Sequence, residues 1–258
     1  MGNNAQKRRM NRKRRRRRGR SVFFTALCFL LAVAALVTGM TVFFKVGSIE
    51  VEGKSRYDPK ALIAKTGITK GQNMFLINKF AILGELRAAY PYLDTIQLRR
   101  VLPDRVTIRI SECVPVAAVE HEGRWFVMDG KGKLLEETDE AGSKAYCRVR
   151  GIELDKPAVG QQISLAEAQK DKQKPLFTIL NTASEHAILD KIEQIDINLV
   201  FDIRLLWEER FSVVLGTVEQ LEKKIRFLGH VVGELGETDR GVIDVSDPQT
   251  ARFRPYSE

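Results

Sequence analysis

Apolar and polar positions divide the chain into stretches of different period. Residues 1–20 are almost wholly polar, and Ser21 to Phe44 then run for 24 residues without a charge before Lys45. A helix of that length spans roughly 36 Å, enough to cross a hydrocarbon core of about 30 Å with some tilt. A cleaved signal peptide is the rival reading, since a basic segment precedes the run and Ala32-Val33-Ala34 lies inside it. Cleavable apolar segments usually hold about 7–15 residues, so the greater length favours an anchor over residues 21–44.

From residue 46 to 112 short alternating stretches flank helical spacing. Ile49 and Val51 alternate with Glu50 and Glu52, the pattern of a half-buried strand. Asp58-Pro59 opens a helix as N-cap and first-turn proline, and Gly67 closes it. Asn78 caps a second helix carrying Phe80, Leu83, Leu86 and Tyr90 at three- and four-residue spacing, stopped by Pro91. Two strands follow, DTIQLRRVL and DRVTIRISE, joined by a turn at Pro103-Asp104. The order β-α-α-β-β predicts a compact unit over 46–112.

The pattern becomes strand-rich from Cys113. PVAAVE, RWFVMD and KLLEE form a meander, separated by Glu122-Gly123 and Gly130-Lys131-Gly132. Glu137 to Lys174 has little periodicity and reads as loop with CRVRGIEL as a strand, and PLFTILNTASEHAIL reads as a helix. KIEQIDINLV, FDIRLLW and RFSVVLG are consecutive strands. Thr217, in a Thr-x-x-Gln pattern, predicts the start of a helix whose stripe is Val218, Leu221, Ile225, Leu228 and Val232. GVIDVSD is a further strand, and residues 251–258, ARFRPYSE, pair back with it. The fold class is therefore α+β: one transmembrane helix, a β-α-α-β-β domain over 46–112, a strand-rich mixed α/β domain over 113–250 and a terminal strand.

Charge settles which partners are excluded. The chain has net charge +9, yet eleven cations and no acid lie within residues 1–20. Removing those eleven from the 42 basic residues leaves 31 against 33 acids over residues 21–258, a sum of −2. A folded domain with a basic nucleic-acid-binding face is thus unsupported. The tail instead reads as a disordered charge block that fixes topology, with the N-terminus cytoplasmic and residues 46–258 outside.

Chemistry is sparse. No Ser-x-x-Lys, Gly-x-Ser-x-Gly or His-Glu-x-x-His occurs, and His121, His186 and His230 fall in different predicted elements. Glu136-Glu137 and Glu208-Glu209 are sequence neighbours in predicted turns, whose side chains point apart. Cys28 lies in the apolar run, and Cys113 and Cys147 could pair in an oxidising compartment, a point the spacing leaves open. The expectation is a protein without catalytic residues, metal or other cofactor.

The succession VGSIEVEGKSRY, GITKGQNMF, YPYLDTIQLRRVLPDRVTIRISECVPVAAV and FVMDGKGKLLEE, then VLG, LEKKIRFL and GVIDVSD followed by ARF, resembles the FtsQ/DivIB family of bacterial division proteins. The unit over 46–112 resembles its POTRA (polypeptide-transport-associated) domain. Glu112-Cys113-Val114 and CRVRGIE depart from that family's usual sequence at two structural joints. The resemblance implies a non-enzymatic, single-pass scaffold at the division septum, linking division-ring assembly to septal peptidoglycan synthesis. It implies FtsB/DivIC-type and FtsL-type bitopic coiled-coil proteins as partners. The partner site it implies lies on the last strands: Val242, Ile243, Asp244, Val245, Arg252 and Phe253. Phe253 reads either as an interface anchor or as a cover for the sheet edge. An alternative is a POTRA-type transport or chaperone module of the envelope. Such modules normally precede a β-barrel, and no series of about ten-residue alternating strands follows residue 113. A membrane-anchored envelope hydrolase is a third class.

Overall fold

The computed structural model describes residues 3–256, with side chains described from Phe23 onward. Helix α1 runs from Asn3 to Phe43. Its segment Phe23–Phe43, of 21 residues and mean hydropathy 2.4, is long and apolar enough to cross a bilayer, and no residue of its most apolar stretch is buried inside the protein. The backbone of α1 continues helical into the basic tail, for which the sequence predicts no regular structure. Like charges spaced four apart oppose such a helix.

The described chain divides into two compact units, one reaching Glu85 and adding Ile96–Ile110, the other made of Leu86–Thr95 and everything from Ser111. After α1 come β1 (Ser48–Glu52), α2 (Pro59–Lys65), a single tight turn of helix (Met74–Leu76), α3 (Lys79–Ala89), β2 (Leu93–Val101) and β3 (Arg105–Glu112). These strands form a sheet in the order β1-β3-β2. Parallel pairing of β1 with β3 sets Ile49 opposite Val106 and Val51 opposite Ile108. The predicted stripe Val106, Ile108 and Ile110 is buried, together with Leu62, Met74, Ile77 and Ile82. Asp58 accepts a hydrogen bond from the Lys60 amide at 3.1 Å and Asn78 one from the Ala81 amide at 3.3 Å, so both predicted caps form. Gly53 has φ of 121°, and a Cβ there would run into the Ile110 carbonyl oxygen, so only glycine fits this close approach.

One predicted stripe is corrected. Helix α3 buries Ile82 and Leu86, while Phe80 is 76% exposed. Two positions along an α-helix turn the side chain by about 200°, so a helix that buries residue 82 carries residue 80 on its far side.

The second unit contains β4 (Pro115–His121), β5 (Arg124–Asp129), β6 (Leu134–Thr138), α4 (Glu140–Ser143), β7 (Cys147–Arg150), α5 (Gln173–Glu185), β8 (Ile192–Asp196), β9 (Ile203–Trp207), β10 (Phe211–Gly216), α6 (Leu221–Glu234), β11 (Gly241–Asp244) and β12 (Arg252–Pro255). All the strands join one nine-stranded sheet in the order β12-β11-β10-β9-β8-β7-β4-β5-β6. The predicted meander β4-β5-β6 is present. Within 137–174 the strand predicted at CRVRGIEL is present as β7, parallel between β4 and β8, while the short helix α4 is an element that the sequence does not predict. Segment Leu86–Thr95 is fastened within this unit by Lys131 Nζ to Asp94 at 2.8 Å, Lys133 Nζ to the Leu93 carbonyl at 2.8 Å and the Cys113 amide to the Tyr92 carbonyl at 2.7 Å.

Helix α5 buries Leu176, Ile179, Leu180 and Ala183, and α6 buries Leu221, Lys224, Ile225 and Leu228. The start of α6 is a second correction. Gln220 sits at φ 52° and the helix begins at Leu221, so Thr217 caps no helix there and its hydroxyl meets the Glu219 amide at 3.4 Å. Buried Lys224 closes this turn, donating from Nζ to the carbonyls of Leu215 at 3.0 Å and Thr217 at 2.7 Å. Burial holds its pKa below the usual lysine value, against the opposing pull of Glu219 and Asp247. Lys224→Ala should lower stability by about 2–4 kcal/mol through the cavity and two carbonyls left unpaired. Lys224→Met, which keeps the volume, should lose less. Thermal unfolding of both variants checks the order, and equal losses would assign the effect to the hydrogen bonds alone.

Candidate interaction edge

An open sheet ends in two outer strands whose outward N–H and C=O groups need partners. At the β6 end the chain supplies some of its own. The Gly160 amide bonds the Leu134 carbonyl at 2.7 Å, the Leu134 amide the Gln161 carbonyl at 2.8 Å and the Ile163 amide the Gly132 carbonyl at 2.8 Å. At the other end β12 is outermost. It pairs antiparallel with β11, which sets Val242 opposite Arg254, Ile243 opposite Phe253 and Asp244 opposite Arg252.

The direction of the backbone groups follows from register. The Gly241 amide bonds the Arg210 carbonyl at 3.3 Å and the Val245 amide the Val214 carbonyl at 3.0 Å, so the odd-numbered amides of β11 turn toward β10. The even-numbered ones therefore face β12, as the Tyr256 amide to Arg240 carbonyl bond at 3.1 Å confirms one pair further along. On β12 the even residues thus bond to β11, and the N–H and C=O of Phe253 turn away from the sheet. Pro255 shares that outward register and has no N–H to offer.

The predicted site residues divide accordingly. Ile243 and Val245 are fully buried, Val242 and Asp244 half-buried and Arg252 exposed. Phe253 is half-buried and meets buried Phe211 edge-on, with ring centroids 6.0 Å apart and planes at 83°. Its ring therefore covers the core at the sheet edge, while its backbone faces outward. Of the two readings of this residue, the position of its ring is that of a sheet-edge cover. Gly241 permits the approach of β12, since a Cβ there would meet the Arg254 carbonyl and the Phe253 ring.

Cations stand exposed on this end, next to Asp244 on β11. Arg252 and Arg254 are exposed on β12. An open groove of about 590 Å3 lies beside the β11–β12 connection, lined by Lys223, Arg226, Phe227 and His230 of α6 with Pro248 and Gln249. Burial raises the Asp244 carboxyl, but hydrogen bonds from Ser246 and the charges of Arg254 and Arg252 outweigh it, so its pKa lies below the usual carboxylate value. Sequence reasoning placed Pro255 within the implied strand but not in its outward row. It missed Gly241, whose role appears only with the pairing of β12, and the groove, which forms only where α6 packs beside the β11–β12 connection.

The thiols of Cys113 and Cys147 are buried and Glu208 is ion-paired. Burial, reinforced by Asp129, pushes the Cys113 thiol up to about 11, and burial pushes Cys147 up to about 12. Both are free thiols, as is Cys28. Glu208 is held below its usual value first by the Arg210 hydrogen bond at 2.6 Å, with Lys191 also near. His230 Nε2 lies 3.4 Å from Oε1 of exposed Glu234 on its own helix. Among the described residues no three His, Cys, Asp or Glu side chains converge as a metal site. At neutral pH a maleimide should leave Cys113 and Cys147 unmodified in the native chain and label them in denaturant, read by mass spectrometry. Native labelling at the rate of an exposed thiol would contradict this burial.

Residues 44–112 match the family described as POTRA domain, FtsQ-type. The chain is 24% identical over 222 residues to the cell division protein DivIB of Clostridium botulinum (strain Loch Maree / Type A3), covering 84% of each. It is 24% identical over 212 residues to the cell division protein FtsQ of Corynebacterium glutamicum, covering 81% of this chain and 87% of that one.

Proposed function

For a chain that carries an FtsQ-type POTRA domain and is homologous over most of its length to cell division proteins named DivIB and FtsQ, we propose the role of a non-enzymatic scaffold in the division machinery. Residues 1–20 form the cytoplasmic tail, the Phe23–Phe43 segment of α1 the anchor, and the remainder an extracytoplasmic assembly platform at the septum. The scaffold links division-ring assembly to septal peptidoglycan synthesis by holding FtsB/DivIC-type and FtsL-type bitopic partners.

The observation that carries this reading is the outward backbone of β12. A partner segment can add to the sheet there, pairing with the N–H and C=O of Phe253, in the manner of β-strand addition. Arg252 and Arg254 flank the position and favour an acidic partner strand, while the groove beside α6 offers room for its side chains. Val242 and Asp244, half-buried on β11, sit next to the same edge. Ile243 and Val245 support it from the core. The edge at β6, which the chain pairs in part with residues 160–163, is the poorer candidate. The transport alternative lacks a comparable observation in its favour.

A fluorescent protein fused to the cytoplasmic N-terminus should give a band at the septum of dividing cells, and depletion should give filaments. Uniform envelope signal with normal division would overturn the scaffold reading. A photocrosslinking residue at Arg252 or Arg254 should trap a DivIC-type partner, whereas one at exposed Glu140, beyond β6, should not. Equal trapping at both places would remove the β12 edge from the assignment.

A further inference from the structure

The first unit exposes large apolar side chains at one end: Phe75 is 43% exposed, Leu76 76%, Phe80 76%, Val101 45% and Leu102 56%. The chain holds that end against the terminus of α1. The Met74 amide donates to the Phe44 carbonyl at 3.0 Å, Asn73 Nδ2 to the Met40 carbonyl at 3.4 Å, and Phe44 meets Phe75 edge-on with centroids 5.4 Å apart. Arg100 ties in the second segment, donating to the Met74 carbonyl at 2.7 Å and the Ile77 carbonyl at 3.0 Å. The Asp104 carbonyl accepts from the Gly47 amide at 2.6 Å, which brings the turn after β2 to the same place.

We infer that this end of the unit is a lipid-binding surface, with Phe75, Leu76 and Phe80 seated in the headgroup and upper acyl region of the outer leaflet. The inference rests on the reading of α1 as a spanning helix. Given that reading, depth follows from the contacts. Met40 lies about one helical turn, roughly 5 Å, inside the end of the span, and Asn73 bonds to its carbonyl. Phe75, two residues beyond Asn73 and in edge-on contact with Phe44, sits at the level where the span ends. Apolar side chains exposed there gain by leaving water, and Phe and Leu are the residues that interfacial segments bury at the headgroup–acyl boundary.

Charge agrees with a lipid occupant. Segments 44–47, 70–80 and 99–104 carry Lys45, Lys70, Lys79, Arg99 and Arg100 against the single acid Asp104. Lys79 lies over the Phe80 ring, 5.0 Å from its centroid, an arrangement that lets the ring enter lipid while the ammonium stays at the phosphates. Such a basic collar around an apolar patch suits anionic headgroups. It also restricts how far the unit can tilt from the membrane.

The test places tryptophan in the full chain, reconstituted in vesicles of phosphatidylcholine and phosphatidylglycerol whose acyl chains carry bromine at shallow or deep positions. Phe80→Trp reports the patch and Phe29→Trp the span. Native Trp125 and Trp207, 7% and 3% exposed, supply the constant background. The expected result is loss of most of the added Phe80→Trp emission with shallow bromine and less with deep, while Phe29→Trp is quenched mainly by deep bromine. Quenching at Phe29→Trp with none at Phe80→Trp would overturn the lipid surface while leaving the span in place. Absence of quenching at both would overturn the span and the surface together.

Discussion

Backbone hydrogen bonding at the ends of an open sheet is the constraint on which this molecule turns. Each interior strand of the nine-stranded sheet has a hydrogen-bonded neighbour on both sides, so at the ends of the sheet the outer row must be satisfied by something else. Near β6 the chain folds residues 160–163 back to do so. At β12 it sets a short strand with its apolar ring turned inward on Phe211 and its cations turned out. Much of what surrounds that strand serves to hold it in register: Gly241 lets it approach, and Lys224 ties down the turn from which α6 departs. A binding function for β12 thus requires rigidity in its neighbours more than any special side chain of its own.

The first unit answers a different constraint. Its small sheet has little area to bury, and cross-strand ion pairs on its exposed face, Arg105 with Glu50 at 3.2 Å and Arg109 with Glu52 at 2.8 Å, contribute only modestly. Its apolar surplus is gathered where the chain leaves α1. That position turns an otherwise costly exposure into a means of orientation, since a unit that touches the bilayer at several points no longer swings freely on one peptide link.

Much of this was legible from the residues. The charge-free run ending at Lys45, the Asp58-Pro59 and Asn78 starts and the alternation through Val106 to Ile110 report local physics, and the structure agrees with each. The failures have a common cause. Phe80 fits a three- and four-residue spacing as well as Ile82 does, and only the packing decides which face turns inward. Thr217 has the right neighbours for a capping box, yet the turn after β10 puts Gln220 at positive φ and delays the helix. The parallel places of β7 and β11 depend on crossovers that leave no periodic mark in the strands themselves. At the candidate edge the strands were legible, but the assignment of Phe253 as ring to the core and amide to the outside required the pairing parity with β11.

Pro255 gives that parity a further consequence. Along β12 the outward row offers a donor at Phe253 and, two residues on, none. A strand arriving from another molecule can lay down only a short ladder before it reaches the proline ring. Two copies of the chain brought edge to edge would meet the same interruption from both sides, so fibre-like extension of the sheet is frustrated at its first step. The same proline limits how many main-chain bonds any strand added at this edge could form.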